Sequence, residues 1–169
     1  MTSTRWFDEN GDEIIKEPVN IDDTEHIAEI GGTFEVFSVG INFYSERLDK
    51  DEITKLIGIQ PTKAWNQGER HQVGNSKKSR ITDYGKWYFT SKRDSTDLNV
   101  KLKALLDSLT SDLEIWNLLT TKYEAWIDIA GYMKNWNRGF SLKPEILKMI
   151  SDRNIEIVFD LYYDGDDDE

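Results

Sequence analysis

The 169-residue chain contains no cysteine, only two histidines, and no apolar run near the length of a membrane-spanning helix. Without cysteine, a disulfide-stapled scaffold and a thiolate-ligated metal are excluded. His26 and His71 lie in an acidic and a basic segment respectively, a poor basis for a transition-metal site. Residues 1–8 lack the apolar stretch of a signal peptide. We therefore expect a cytoplasmic protein with neither a metal site nor a membrane helix.

Familiar catalytic patterns are also missing. Neither histidine lies in a recognisable Ser/His/Asp context, and Gly31-Gly32 precedes a strand pattern instead of linking a strand to a helix. No cofactor and no catalytic residue is predicted. One enzymatic alternative stays open, because Asp128 and Asp160 fall mid-strand on the less apolar sides of two strand patterns. If those strands are neighbours, the two carboxyl groups approach each other and one pKa rises.

The charge is concentrated at the two ends of the chain. Residues 1–32 carry nine acidic and two basic side chains, and residues 160–169 carry six acidic and none basic, against a net charge of -11. We predict an acidic hairpin or arm over residues 1–32, one α+β domain over 33–163 and an acidic tail over 164–169. Acidic proteins gain association rate toward basic partners by electrostatic steering.

Hydrophobic periodicity predicts four core strands and several helices. Alternating apolar residues indicate strands over 33–44, 85–91, 123–133 and 155–163. Helices are predicted after Asp49, after Ser95 or Thr96, after Ser111, and over 141–152, where N-capping residues precede apolar stripes. Residues 60–82 are predicted to form a long polar loop.

Two predicted helices echo each other at a constant offset of 93. The matching residues place isoleucine at the same helical phase, Ile53 and Ile57 in one helix and Ile146 and Ile150 in the other. Two such βα half-units favour a ferredoxin-like α+β sandwich with a helical insertion between the second and third strands.

Three functions fit these observations. The leading hypothesis is a non-catalytic protein-interaction protein, specifically an immunity protein that neutralises a basic toxin, with partner-binding residues Trp136, Arg138, Asp164, Asp166, Asp167 and Asp168. The second is a nucleic-acid or phosphate-ligand binder, because residues 63–93 carry eight basic and two acidic side chains. Its candidate residues are Trp65, Lys77, Lys78, Arg80 and Lys86. The third is the enzyme that uses Asp128 and Asp160.

The sequence also resembles a known family. The opening motif consists of Leu48, Asp49, Glu52, Ile53, Leu56, Gly58, Ile59, Gln60, Pro61, Thr62, Trp65 and Gly68. Further matches are Trp87, Gly139-Phe140-Ser141-Leu142 and Phe159-Asp160-Leu161-Tyr162-Tyr163. Together these resemble the domain of unknown function 4279 family over about residues 34–163. The resemblance implies a bacterial, cytoplasmic, single-domain α+β protein and supplies no catalytic residues. In such a domain Gly58 suits a helix C-cap, while Trp65 and Trp87 are expected to seal one end of the core.

Overall fold

A computed structural model describes residues 32–74, 77–135 and 137–164 of the chain. The chain divides into two units, Met1–Ile30 and Gly31–Glu169, and every described residue belongs to the second. The predicted N-terminal hairpin and arm therefore lie outside the described residues, except for Gly32. In chain order the described elements are β1 (Val36–Ser45), α1 (Lys50–Ile57), β2 (Lys63–Trp65), β3 (Arg70–Gln72), β4 (Ser79–Ile81), β5 (Gly85–Thr90), α2 (Leu98–Ser108), α3 (Leu113–Lys122), β6 (Glu124–Met133), α4 (Pro144–Asp152) and β7 (Glu156–Tyr163).

Five of these strands form one sheet in the order β2-β5-β1-β6-β7. The β2, β5, β1 and β6 strands pair antiparallel, and β7 pairs parallel to β6. The structure confirms the predicted α+β class. It does not confirm the ferredoxin-like sandwich. In that fold another strand separates the two strands of each βαβ unit, whereas here β1 lies beside β5 and β6 lies beside β7. Strands β3 and β4 pair separately as a small hairpin.

The helices pack on one face of the sheet, and the core lies between the helices and that face. Alternate residues of β1 point into this core, where Phe37, Val39, Ile41 and Phe43 are at most 5% exposed. The echoed isoleucines are buried in both α1 and α4, as their shared helical phase predicts. Among the described residues, no helix is long and apolar enough to cross a membrane.

The start of α1 agrees with the sequence prediction, and the starts of α2 and α3 differ from it. Asp49 caps α1, since its carboxylate accepts from the backbone N–H groups of Asp51 and Glu52, and Gly58 ends the helix at φ 90°. The caps of α2 and α3 are Asp97 and Asp112, not the predicted Ser95, Thr96 or Ser111. Adjacent residues in both segments are chemically able to cap a helix. The choice among them depends on packing, which the local pattern does not contain.

Glu52 in the first turn of α1 makes contacts outside its own helix. Its carboxylate accepts hydrogen bonds from the Tyr123 hydroxyl and the Lys122 ammonium, both at 2.5 Å. These bonds lower the pKa of Glu52. The side chain thus joins α1 to the junction of α3 and β6, a long-range contact that helical spacing does not reveal.

The segment predicted as a polar loop contains β2, β3 and β4. Three-residue strands are too short to show an alternating pattern, which explains the error. Trp65 of β2 stacks on His71 of β3 with ring centroids 3.9 Å apart, and its indole N–H donates to the Thr82 hydroxyl. It therefore packs outside the main core cluster, whereas Trp87 lies fully buried within it. Both tryptophans are buried, but only Trp87 belongs to the main core cluster.

Candidate functional site

The sheet face opposite the helices is the candidate functional site, which we call the open face because no helix of the described residues packs on it. It is formed by the alternate residues of four strands that point away from the core. None of them belongs to the hydrophobic core cluster. They are Ser38, Gly40 and Asn42 of β1; Lys86, Tyr88 and Thr90 of β5; Trp126, Asp128, Ala130 and Tyr132 of β6; and Val158, Asp160 and Tyr162 of β7.

A polar centre occupies the middle of the open face. Pairing register places Asn42 between Tyr88 and Trp126, and Gly40 beside Asp128. Asn42 is only 4% exposed and its amide N–H donates to the Asp128 carboxylate. Gly40 lets that carboxylate lie close to the sheet, since a Cβ at this position would fall 3.1 Å from Asp128 Oδ2. The carboxylate is therefore held in a defined position against the backbone.

Two half-buried ionisable groups meet at this centre. The Lys86 ammonium lies 5.3 Å from the ring centroid of Tyr88 and 5.7 Å from that of Trp126. Burial lowers the pKa of Lys86, and the charge of Asp128 opposes that shift. Burial likewise raises the pKa of Asp128, which the Asn42 hydrogen bond and Lys86 partly offset. Each of the two residues stabilises the charged form of the other in a site that is partly removed from water.

The far end of the open face is aromatic. Tyr132 and Tyr162 stack with ring centroids 5.0 Å apart. The Arg93 guanidinium lies over Tyr132 at 3.4 Å and its Nη2 is 3.1 Å from Asp164 Oδ2. Asp164, one of the predicted partner-binding residues, is therefore connected to this aromatic end. The connection brings the start of the acidic tail to the edge of the open face.

The other predicted partner-binding residues do not join this site in the described part of the chain. Arg138 has a side chain only 5% exposed, with its Nε 3.5 Å from Glu35 Oε1. Its Nε and Nη1 atoms make no hydrogen bond to any residue that the structure describes. The partner-binding role of Arg138 stays a prediction. Trp136, Asp166, Asp167 and Asp168 lie outside the described residues.

The residues proposed for nucleic-acid binding do not form one continuous surface among the described residues. Trp65 is buried against His71, and Arg80 donates to His71 Nε2 and to the Tyr84 hydroxyl. Lys86 belongs to the open face, where it is half-buried. Lys77 and Lys78 are exposed between β3 and β4, beside two residues that are not described. The fold thus uses Trp65, Arg80 and Lys86 in internal contacts.

Asp128 and Asp160 lie on the same face of neighbouring strands, as the carboxylate-pair alternative requires. Asp128 pairs with Val158, and Asp160 pairs with Ala130 one position further along the face. The charge of Asp160 contributes to raising the pKa of Asp128. Asp160 itself accepts a hydrogen bond from the Tyr162 hydroxyl. The two carboxylates therefore lie near each other. Each also has its own hydrogen-bond donor, Asn42 for Asp128 and Tyr162 for Asp160.

Sequence reasoning missed several residues of the open face, and it missed Arg93, which stacks on Tyr132 of that face. Asn42, Tyr88, Tyr132 and Arg93 were not singled out as site residues. Asn42 carried a usable signal, because an amide in the middle of an apolar strand needs a polar partner. Arg93 carried none, since its contact with Tyr132 joins segments that are distant in sequence.

The comparisons with known proteins identify the family. The family model described as domain of unknown function (DUF4279) matches residues 35–164. The match covers most of the chain, and the chain belongs to this family. Comparison with curated proteins and with solved structures gives no match.

Proposed function

We propose that this protein is a non-catalytic interaction protein that binds a basic protein through its open face. In its specific form, the proposal is that it serves as an immunity protein in the bacterial cytoplasm and neutralises a basic toxin. The observation that carries the proposal is the stack of Arg93, Tyr132 and Tyr162 at one end of the open face, which also presents Trp126, next to the start of an acidic segment.

The residue types on this face favour protein binding. Tryptophan, tyrosine and arginine are enriched at protein interfaces and supply most of the residues whose truncation costs binding energy. Here Tyr132 and Tyr162 stack on each other, and Arg93 stacks on Tyr132. Side chains that are held in place before binding lose less conformational entropy when the partner docks.

The charge distribution favours a basic partner. Residues 160–169 contain six acidic side chains and no basic one, and Asp164 lies beside the aromatic end of the open face. An acidic segment next to an apolar contact surface attracts a basic protein before the specific contacts form. The aromatic cluster then determines how long the complex persists.

A binding experiment with matched variants tests this proposal. The full chain is immobilised, exposed to extract of its source organism at 0.15 M salt (about an 8 Å Debye length), and the retained proteins are identified by mass spectrometry. We expect a basic protein that arrests growth when expressed alone, and growth that recovers when this chain is co-expressed. Retention of no basic protein, or of one whose toxicity this chain does not relieve, would contradict the proposal.

Kinetic measurements on the purified complex separate the contribution of the open face from that of the acidic tail. Trp126→Ala should raise the dissociation rate by roughly 10- to 100-fold, whereas Leu118→Ala, an exposed apolar residue on α3, should leave it unchanged. Removal of residues 165–169 should slow association about tenfold at low salt. High salt should abolish that difference. Equal effects of Trp126→Ala and Leu118→Ala would rule out the open face as the binding surface.

A further inference from the structure

The aromatic end of the open face already holds an arginine of the chain itself. The Arg93 guanidinium lies 3.4 Å from the ring centroid of Tyr132, and its Nη2 donates to Asp164 Oδ2 at 3.1 Å. A ring face attracts the positive charge of a guanidinium, and a carboxylate accepts its N–H groups. Arg93 therefore provides an internal example of how a tyrosine and a nearby aspartate bind an arginine in this region.

Tyr162 lies on the side of Tyr132 that Arg93 does not cover. The two tyrosine rings are nearly parallel, with centroids 5.0 Å apart and planes 13° apart. A guanidinium 3.4 Å from the Tyr132 centroid fills one face of that ring, so the parallel Tyr162 ring lies on the other face. Because β7 ends the described sheet order, the second face of Tyr162 points away from β6. Tyr162 is 43% exposed, and its ring therefore keeps a surface that a ligand can reach.

Asp160 supplies a carboxylate beside this ring. It lies two residues before Tyr162, on the same side of β7, and accepts a hydrogen bond from the Tyr162 hydroxyl. That hydrogen bond, partial burial and the charges of Asp160 and Asp128 raise the pKa of Tyr162. The ring thus lies among negative charges, which favour a cation next to it.

The two aspartates of the open face differ in their positive neighbours. Lys86 offsets part of the rise in the pKa of Asp128. Asp160 is exposed, and its carboxylate forms no ion pair with a lysine or arginine in the part of the chain that the structure describes. Asp160 and Tyr162 therefore repeat the residue types that hold Arg93, without an arginine of the described residues bound to them.

We infer that Tyr162 and Asp160 bind an arginine side chain which the basic partner presents to the open face. The guanidinium stacks on the outer face of Tyr162 and donates to the Asp160 carboxylate, in the way that Arg93 uses Tyr132 and Asp164. A lysine ammonium matches the charge, but it has no planar surface to stack on a ring. The site therefore selects arginine over lysine. This inference rests on the proposed function and names the side chain by which the partner is recognised.

Fluorescently labelled hexa-arginine and hexa-lysine peptides test the site without the natural partner. Both peptides carry the same side-chain charge, so attraction to the net charge of -11 acts on both. Anisotropy titrations of the full chain at low salt should give a dissociation constant roughly two- to fivefold lower for hexa-arginine, the advantage of one exposed cation–π contact. Equal dissociation constants for the two peptides would overturn the inference.

Variants show whether that preference arises at Tyr162. Tyr162→Leu keeps an apolar side chain but removes the ring, so the two peptides should bind about equally. Tyr88→Leu, on the same face of β5, is the matched control and should retain the preference. Circular dichroism checks that both variants fold. A preference for hexa-arginine that survives Tyr162→Leu, or that both variants abolish equally, would refute the site.

A second pair of variants tests the carboxylate. Asp160→Asn should raise the dissociation constant of hexa-arginine roughly two- to fivefold, the effect of one exposed ion pair. Asp51→Asn removes the same charge from an exposed position on α1 and should have a smaller effect. Equal weakening by the two substitutions would mean that only the overall charge of the chain matters, and the inference would be wrong.

Failure of this site and failure of the proposed function give different results. If the source extract yields a basic toxin that the chain neutralises, and Tyr162→Leu leaves its binding unchanged, the function stands and the arginine site is wrong. If the arginine preference depends on Tyr162 while the extract yields no basic protein, the arginine site stands and the immunity function is wrong.

Discussion

Phe43 and Asn42 are neighbours in β1, yet they point to opposite faces of the same sheet. Phe43 is fully buried and packs on Trp87 and Trp116, with ring centroids 5.7 and 6.2 Å away. Asn42 instead donates to Asp128 on the open face. The helix-covered face removes apolar surface from water, whereas the open face holds polar and aromatic groups in fixed positions. The comparison teaches that alternate residues of the same strands carry different chemistry, with apolar packing on one face and polar and aromatic contacts on the other.

The largest effect is expected on the covered face. Phe43→Ala removes a fully buried ring between two tryptophans and should lower the free energy of unfolding by about 3–5 kcal/mol. Urea unfolding followed by tryptophan fluorescence measures this loss. Trp126→Ala on the open face is the matched aromatic truncation, and it should cost clearly less because the ring is only partly buried. Equal losses would mean that the open face contributes as much to the free energy of unfolding as the covered face does.

Gly40→Ala should give an intermediate effect. A Cβ at this position would lie 2.9 Å from the Phe89 carbonyl oxygen and 3.1 Å from Asp128 Oδ2. Such crowding should cost about 1–3 kcal/mol and displace the Asp128 carboxylate. Gly139→Ala is the control, since no atom of the described residues lies within 4 Å of its added Cβ. Thermal unfolding of the two variants checks the difference, and equal stability would show that the polar centre tolerates movement.

The smallest effect is expected for Asp128→Asn, and it should depend on pH. Burial raises the pKa of Asp128 above its ordinary value of 3.8, so the folded state holds the proton more readily than the unfolded chain. The stability contribution of Asp128 is therefore largest at acidic pH and is lost as the pH rises through the folded pKa. Asp128→Asn should raise the melting temperature slightly at pH 7, and the gain should vanish below about pH 4.

Glu52→Gln on the covered side is the control for that sign. Hydrogen bonds from Lys122 and Tyr123 lower the pKa of Glu52 from its ordinary value of 4.5. Its contribution is present above that value and is lost as the pH falls. Glu52→Gln should therefore be less stable than the natural chain at pH 7, and the gap should close in acid. The same sign for both substitutions would remove the electrostatic contrast between the two faces.

Local patterns in the sequence predicted much of the fold. The alternation in β1 predicts its buried side correctly, and the stripes of α1 and α4 predict their buried isoleucines. These predictions succeed because burial repeats with the period of the backbone. Strands β2, β3 and β4 escaped prediction because each has only three residues, and their pairing partners supply the stability that a local pattern would otherwise indicate.

The edge strand shows a different kind of departure. Phe159 and Leu161 follow the apolar alternation of a core strand, yet they are 44% and 46% exposed. A strand's own sequence indicates which side is apolar, but not whether a neighbour covers it. Position at the end of the sheet order leaves this side accessible. The same information gap hid the contact between Arg93 and Tyr132 from sequence reasoning.

The amino-acid sequence by itself determined the α+β class, the main strands and helices, the family resemblance and the acidity of both ends. These follow from periodicity, capping chemistry and composition, which act over a few neighbouring residues. Only the tertiary structure decided the strand order, the Asn42–Asp128 contact and the exposure of β7. Those depend on which distant segments meet, because the energy of a buried polar group or an open edge is set by its neighbours in space.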